Sequence, residues 1–216
     1  MVYCSLGNSC MSAFTLKKLK LKEESYPFDW INSRSEIIKH CLTDNFKDFL
    51  DRSLYTPQEN IWEDNDDLCQ HRSYCPFLDD APTVEKQIFF RHHDPLGKDE
   101  HYEYYVRCVE RFKNLLSSDE EKIFIKTYPK KEESKLEDAL DLNNFLKDYT
   151  TNYKVIAVKQ SMSDKHSVKM EKHGNLLYAE LTTIQDGNGA AFYNETDQSF
   201  VESVFQYLIN NFNEIR

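Results

Sequence analysis

Glycine and proline are scarce in this chain of 216 residues, at five and six respectively. That excludes collagen-like and low-complexity disordered architectures. No apolar run approaches the ~20 residues that a membrane-spanning helix requires. The first residues also lack the basic region and apolar stretch of a secretory signal. These absences predict a cytoplasmic protein with no membrane partner. Positive charge is short as well: 27 Lys and Arg stand against 37 Asp and Glu, a formal net charge of -10. With neither half strongly basic, no broad face can track a phosphate backbone, and no nucleic-acid partner is expected. Three motifs are missing too: the G-x-x-x-x-G-K-[ST] phosphate loop, the G-x-G-x-x-G fingerprint and the G-x-S-x-G elbow.

Other residues are plentiful. Thirteen tyrosines and fourteen phenylalanines point to a dense aromatic core and an aromatic-lined cleft. The length suits one domain, residues 1–216, large enough to bury a core without covalent staples. The six cysteines are irregularly spaced and read as free thiols.

Met1 to Ser5 reads as a buried strand, stopped by Gly7. A helix follows from Cys10, with Cys10, Ala13, Phe14 and Leu21 on one face and Lys17, Lys18, Lys20 and Lys22 in solvent. Tyr26-Pro27-Phe28-Asp29-Trp30-Ile31 is a turn with aromatic anchors around one carboxylate. Ser33 and Glu36 have capping-box spacing before a helix to about Arg52, with Ile38, Leu42, Phe46 and Phe49 inward. Residues 53–85 form an irregular, acidic excursion.

Lys86 to Arg91 reads as a strand running into His92-His93-Asp94-Pro95. The pattern beyond it predicts a helix burying Tyr102, Tyr105, Val106, Val109, Phe112 and Leu116, then a strand (Lys122 to Thr127), a helix (Leu136 to Tyr149) and a strand (Tyr153 to Gln160). His166 and His173 fall in a Lys- and Ser-rich loop, Asn175 to Thr183 is a strand, and a helix carrying Phe200, Val201, Val204, Phe205, Leu208 and Phe212 closes the chain. This alternation predicts an α/β fold with a layered, largely parallel sheet flanked by helices. Functional groups in such folds gather at the carboxyl ends of strands, where the Gly7–Cys10 and His92–Asp94 turns are expected.

Cysteine chemistry needs a thiolate, an imidazole to take and return its proton, and a group that orients the imidazole. Cys10, at a helix start, is the candidate nucleophile. His92 and His93 are the candidate bases, and Asp29 and Asp94 the candidate orienters. The competing reading makes the histidines turn residues and Asp29 a loop cap. Asn8, Ser9, Trp30 and His92 are placed to contact substrate, with backbone amides from Asn8 to Met11 as an oxyanion site. Ser9 stands as an outside nucleophile. Cys69, His71 and Cys75 have only one irregular half of a zinc-site spacing, so neither a metal nor a cofactor is expected.

The blocks S-L-G-N-S-C, A-F-T-L-K-K-L and Y-P-F-D-W-I, followed by F-R-H-H-D, R-F-K-N-L-L and I-F-I-K, resemble the papain-like cysteine peptidase family found in bacteria and large DNA viruses. The likeness covers most of residues 3 to 127. It implies Cys10 as nucleophile and His93 as its partner, with Asp29 and Asp94 as motif positions. Arg107, Cys108 and Arg111 stand where the family tends to show paired arginines. A papain-like α+β arrangement is the alternative fold that the resemblance brings. The function expected is a cysteine-dependent hydrolase or acyl-transfer enzyme acting on a peptide, acyl or small-molecule substrate. The rivals are a sugar or nucleotide transferase using the same crevice, and a non-catalytic protein binding through the acidic 59–80 segment.

Overall fold

A computed structural model describes residues 1–57, 69–75, 89–90, 92–128 and 135–215. In chain order the elements are β1 (Val2–Ser5), α1 (Met11–Lys18), α2 (Ser35–Thr43), a 3₁₀ turn (Arg52–Leu54), β2 (Tyr55–Pro57), β3 (Cys69–His71), α3 (Asp99–Ser117), β4 (Lys122–Tyr128), α4 (Leu136–Leu146), β5 (Tyr153–Met162), β6 (Ser167–His173), β7 (Leu176–Thr183) and α5 (Glu195–Asn210).

The main sheet has the order β1-β4-β5-β7-β6. The first four run parallel, and β6 pairs antiparallel with β7. This is the α/β architecture that the alternation predicts. Interior parallel strands are covered on both faces and therefore read as continuous buried runs. Every residue of β4 is buried. Its alternation divides two apolar layers: Ile123 and Ile125 meet Met11 and Leu16 of α1 and Val201, Phe205 and Leu208 of α5. Phe124 faces the other way, into a layer with Ile37 and Ile38 of α2, Val109 and Phe112 of α3 and Leu142 of α4.

Three expectations change. The helix after Ser33 ends at Thr43, not near Arg52. Asn45 and Phe46 take left-handed backbone (φ 58° and 62°), and Asp44 accepts from the Phe46 and Asp48 amides. Phe46 and Phe49 are nevertheless buried, edge-to-face against each other. Nor does Ser33 cap α2, whose N-cap is Arg34; its hydroxyl donates to the Leu6 carbonyl instead. The stretch around His166 and His173 is not a loop throughout. Residues 167–173 form the edge strand β6, alternating exposed and half-buried positions. Charged residues are an ordinary means of blunting a sheet edge, and here they disguise a strand.

The acidic excursion lies largely outside the described residues, as do positions 86–88 and 91 of the strand expected before His92. Phe90 does not join the main sheet. It bridges Ile31 on one side and Cys69 on the other, beside the small antiparallel pair β2–β3. Among the described residues, no helix is long and apolar enough to cross a membrane.

Candidate active site

β1 ends at Ser5, and the chain must turn sharply to start α1 on one face of the sheet. Gly7 and Asn8 make that turn with φ of 69° and 71°. Glycine is required at the first position. A Cβ there would lie 2.1 Å from Ser33 Oγ and 2.7 Å from the Phe28 carbonyl oxygen. Thr127 of β4 donates to the Gly7 carbonyl from its amide (3.1 Å) and its hydroxyl (3.2 Å). The Asn8 amide donates to Ser33 Oγ at 3.4 Å. Ser9 Oγ accepts from the Met11 amide and lies 3.4 Å from Thr127 Oγ1. Its hydroxyl therefore helps close the start of α1.

Cys10 is the N-cap residue of α1, nearly buried, with helical backbone (φ −67°, ψ −12°). Its sulfur lies 3.5 Å from His92 Nε2. The Ile31–Phe90 bridge explains how residues 82 apart meet, because it sets Trp30 and His92 on neighbouring strands of chain. The Trp30 ring packs edge-on against the His92 imidazole, with centroids 5.9 Å apart. The first-turn amides of α1 point towards the same end of the helix, since a helix start leaves them without intrahelical acceptors.

The His92 imidazole is thus within hydrogen-bond reach of Cys10, where the resemblance implied His93 as partner. The two neighbouring rings have different surroundings. His93 stacks on Tyr104, with centroids 4.1 Å apart and planes 6° apart, and meets His101 and Tyr105 edge-on. The two carboxylates also have other partners. Asp29 is wholly buried, ion-paired to Lys22 and accepting from the Tyr26 amide at 2.8 Å. Burial raises its pKa against the lowering effects of Lys22, Tyr26 and Arg111. Asp94 accepts from the Leu96 and Gly97 amides at 3.0 and 3.1 Å, folding the loop that leads to α3.

Burial pushes the Cys4 and Cys41 thiols far up, Cys69 to about 12 and Cys108 to about 11. His71, which lies between Cys69 and Cys75 in sequence, bonds the Asp48 carbonyl at 3.0 Å and stacks on Tyr74. Among the described residues, one trio, His40, Asp44 and Asp48, lies close enough together to share a cation. Asp44 already closes the end of α2 there.

A feature that sequence reasoning missed lies behind the turn. Lys126 of β4 is fully buried, and its Nζ donates to the Ser33 carbonyl at 2.5 Å and the Leu6 carbonyl at 3.4 Å. Its place in the run Ile123 to Tyr128 was the available signal: a lysine within a strand buried on both faces.

Comparison with known proteins adds the family. The sequence profile of a family described as "putative papain-like cysteine peptidase" matches residues 1–162. The chain is also similar to an uncharacterized protein of Acanthamoeba polyphaga mimivirus, 26% identical over 146 residues, covering 58% of this chain and 60% of that protein. The match therefore spans less than two thirds of the viral relative's length. No solved structure matches significantly. With residues 1–162 of 216 matched, the chain belongs to this family of putative papain-like cysteine peptidases.

Proposed function

We propose that the chain is a cysteine-dependent hydrolase or acyl-transfer enzyme with Cys10 as nucleophile and His92 as its base. The observation that carries this reading is the 3.5 Å contact between Cys10 Sγ and His92 Nε2 at the N-terminus of α1. A helix N-terminus favours an anionic sulfur, and an imidazole within hydrogen-bond reach gives the thiol proton somewhere to go.

In the reaction proposed, His92 Nε2 takes the Cys10 proton while the sulfur bonds to the substrate carbonyl carbon. The oxyanion that forms is met by amides of the first turn of α1. His92 then returns the proton to the leaving group as its bond to carbon breaks, leaving a thioester on Cys10. Water releases the acid in a hydrolase, and another nucleophile takes the acyl group in a transferase. Trp30 holds the plane of the imidazole, and its exposed portion borders the substrate. Asp29 and Asp94 shape the two loops that deliver Trp30 and His92.

The test is labelling with a thiol-reactive acyl probe, followed by peptide mass spectrometry. The unmodified chain should be acylated at Cys10, Cys10→Ala should lose that label, and His92→Gln should slow it strongly. Equal labelling of Cys10→Ala would overturn the nucleophile assignment.

A further inference from the structure

Lysine side chains are almost never fully buried, because removing an ammonium from water is costly unless its donors are satisfied. β4 carries two such lysines, Lys122 and Lys126, both on the face that holds Phe124. Lys122 sits at the amino end. Its Nζ donates to the carbonyls of Ser118 (2.7 Å), Glu120 (2.9 Å) and Thr151 (3.0 Å), tying two connecting segments together. Lys126 sits at the carboxyl end and donates to Leu6 and Ser33. Leu6 immediately precedes the Gly7–Asn8 turn, and Ser33 meets the Asn8 amide through its hydroxyl. The Lys126 ammonium is therefore bound to both strands of chain that frame the Cys10 turn.

We propose that Lys126 is a positioning residue for the Cys10 sulfur: its buried ammonium ties the turn to β4 and supplies positive charge that favours the thiolate. A charge inside the protein is weakly screened, so it acts over several ångströms where a surface lysine does not. Among the described contacts, His92 from the loop before α3 meets the Cys10 sulfur at the α1 N-terminus, Tyr105 of α3 lies near enough for the Cys10 charge to raise its pKa, and Lys126 of β4 bonds the Leu6 carbonyl just before the turn. The Tyr128 ring lies 5.7 Å from the Lys126 Nζ and adds its negative face to the ammonium's surroundings.

This inference rests on the reading of Cys10 as the nucleophile, and alkylation separates the two. The rate of Cys10 modification by iodoacetamide is measured across pH by peptide mass spectrometry, with thermal melting as the check on folding. Lys126→Met and Lys126→Gln both remove the charge, and the glutamine keeps a donor for the carbonyls. Both should slow Cys10 alkylation at neutral pH by about tenfold and move its pH profile up by about one unit. Lys126→Arg, which keeps the charge, should stay within about threefold of the unmodified chain. Lys122→Met should leave the Cys10 profile in place. If Lys126→Met fails to fold, the glutamine variant decides. An unchanged profile in a folded neutral variant overturns the proposal while leaving Cys10 as nucleophile. Slowing in Lys126→Met alone overturns the electrostatic role and leaves a tether. Failure of the unmodified chain to react at Cys10 overturns both readings.

Discussion

The two edges of the parallel sheet treat the same residue types differently. At the amino edge, Lys122 gathers three carbonyls and Gly174 turns β6 into β7 in open space, with no atom near the site of a Cβ. At the carboxyl edge, Lys126 and Gly7 sit beneath Cys10, and Gly7 has no room for even a methyl group. Both glycines have left-handed backbone and both lysines are buried. The lesson is that packing density, not residue type, marks the edge where position matters. The amino edge still has a cavity of about 480 Å³, lined by Tyr3, Tyr26, Arg111 and Glu24 among others. Neither Cys10 nor His92 lines it.

The glycines give the largest contrast. Gly7→Ala combines left-handed strain with a collision against backbone, and should cost about 4 kcal/mol in urea unfolding. Gly174→Ala carries only the strain and should cost about 1 kcal/mol. Equal losses would dissolve the distinction between the edges.

The histidines come next. His92→Gln should slow acylation of Cys10 by about a hundredfold, the lower end of what a general base contributes. His93→Gln removes a ring stacked on Tyr104 and should lower the melting temperature more than the labelling rate. The opposite ranking would return the base to His93.

Lys122→Met leaves three carbonyls without their donor and should cost about 2 kcal/mol in stability, read by thermal or urea unfolding. A smaller effect is expected from acid. Asp197, at the start of α5 on the carboxyl edge, is buried, and burial alone would raise its pKa. Hydrogen bonds from the Ile184 and Gln185 amides, His166 and Asn194 outweigh that and lower it to about 2. A carboxylate depressed in the folded state stabilises above its unfolded pKa and loses that contribution as pH falls. Stability should therefore decline from about pH 4 towards 2, and Asp197→Asn should flatten that part of the curve. An identical acid limb in the variant would show that other groups set it.

Much of this layout was legible because burial on both faces leaves a strong pattern. β4 and β5 read as strands from their apolar runs, and α3 and α5 from their helical period. Cys10 was legible as a helix start because Gly7 ends the strand just before it. That His92 reaches Cys10 was not, since neither His92 nor His93 lies in a periodic element. What orients them is the Phe90 bridge to Ile31, a contact between segments about 60 residues apart in sequence. Asp29 and Asp94 have the residue type expected of orienters; the structure shows Asp29 bonded to Lys22 and the Tyr26 amide, and Asp94 to the Leu96 and Gly97 amides. β6 was hidden by its charges, and Lys126 by the ordinary expectation that lysine is solvated.

The pairing of β1 with β4 has a consequence for when the site exists. β1 has four residues and meets a partner about 120 positions later in the chain. Contacts so distant in sequence pay their loop-closure cost before they return any stability, and they tend to form slowly. The Gly7 turn hangs from Thr127 and Lys126, so Cys10 cannot take its place until β4 has been synthesised and paired. Ribosome-bound chains of about 92 to 128 residues hold both residues of the Cys10–His92 pair but not its scaffold. The Cys10–His92 contact is thus made late, after the strand that fixes its geometry.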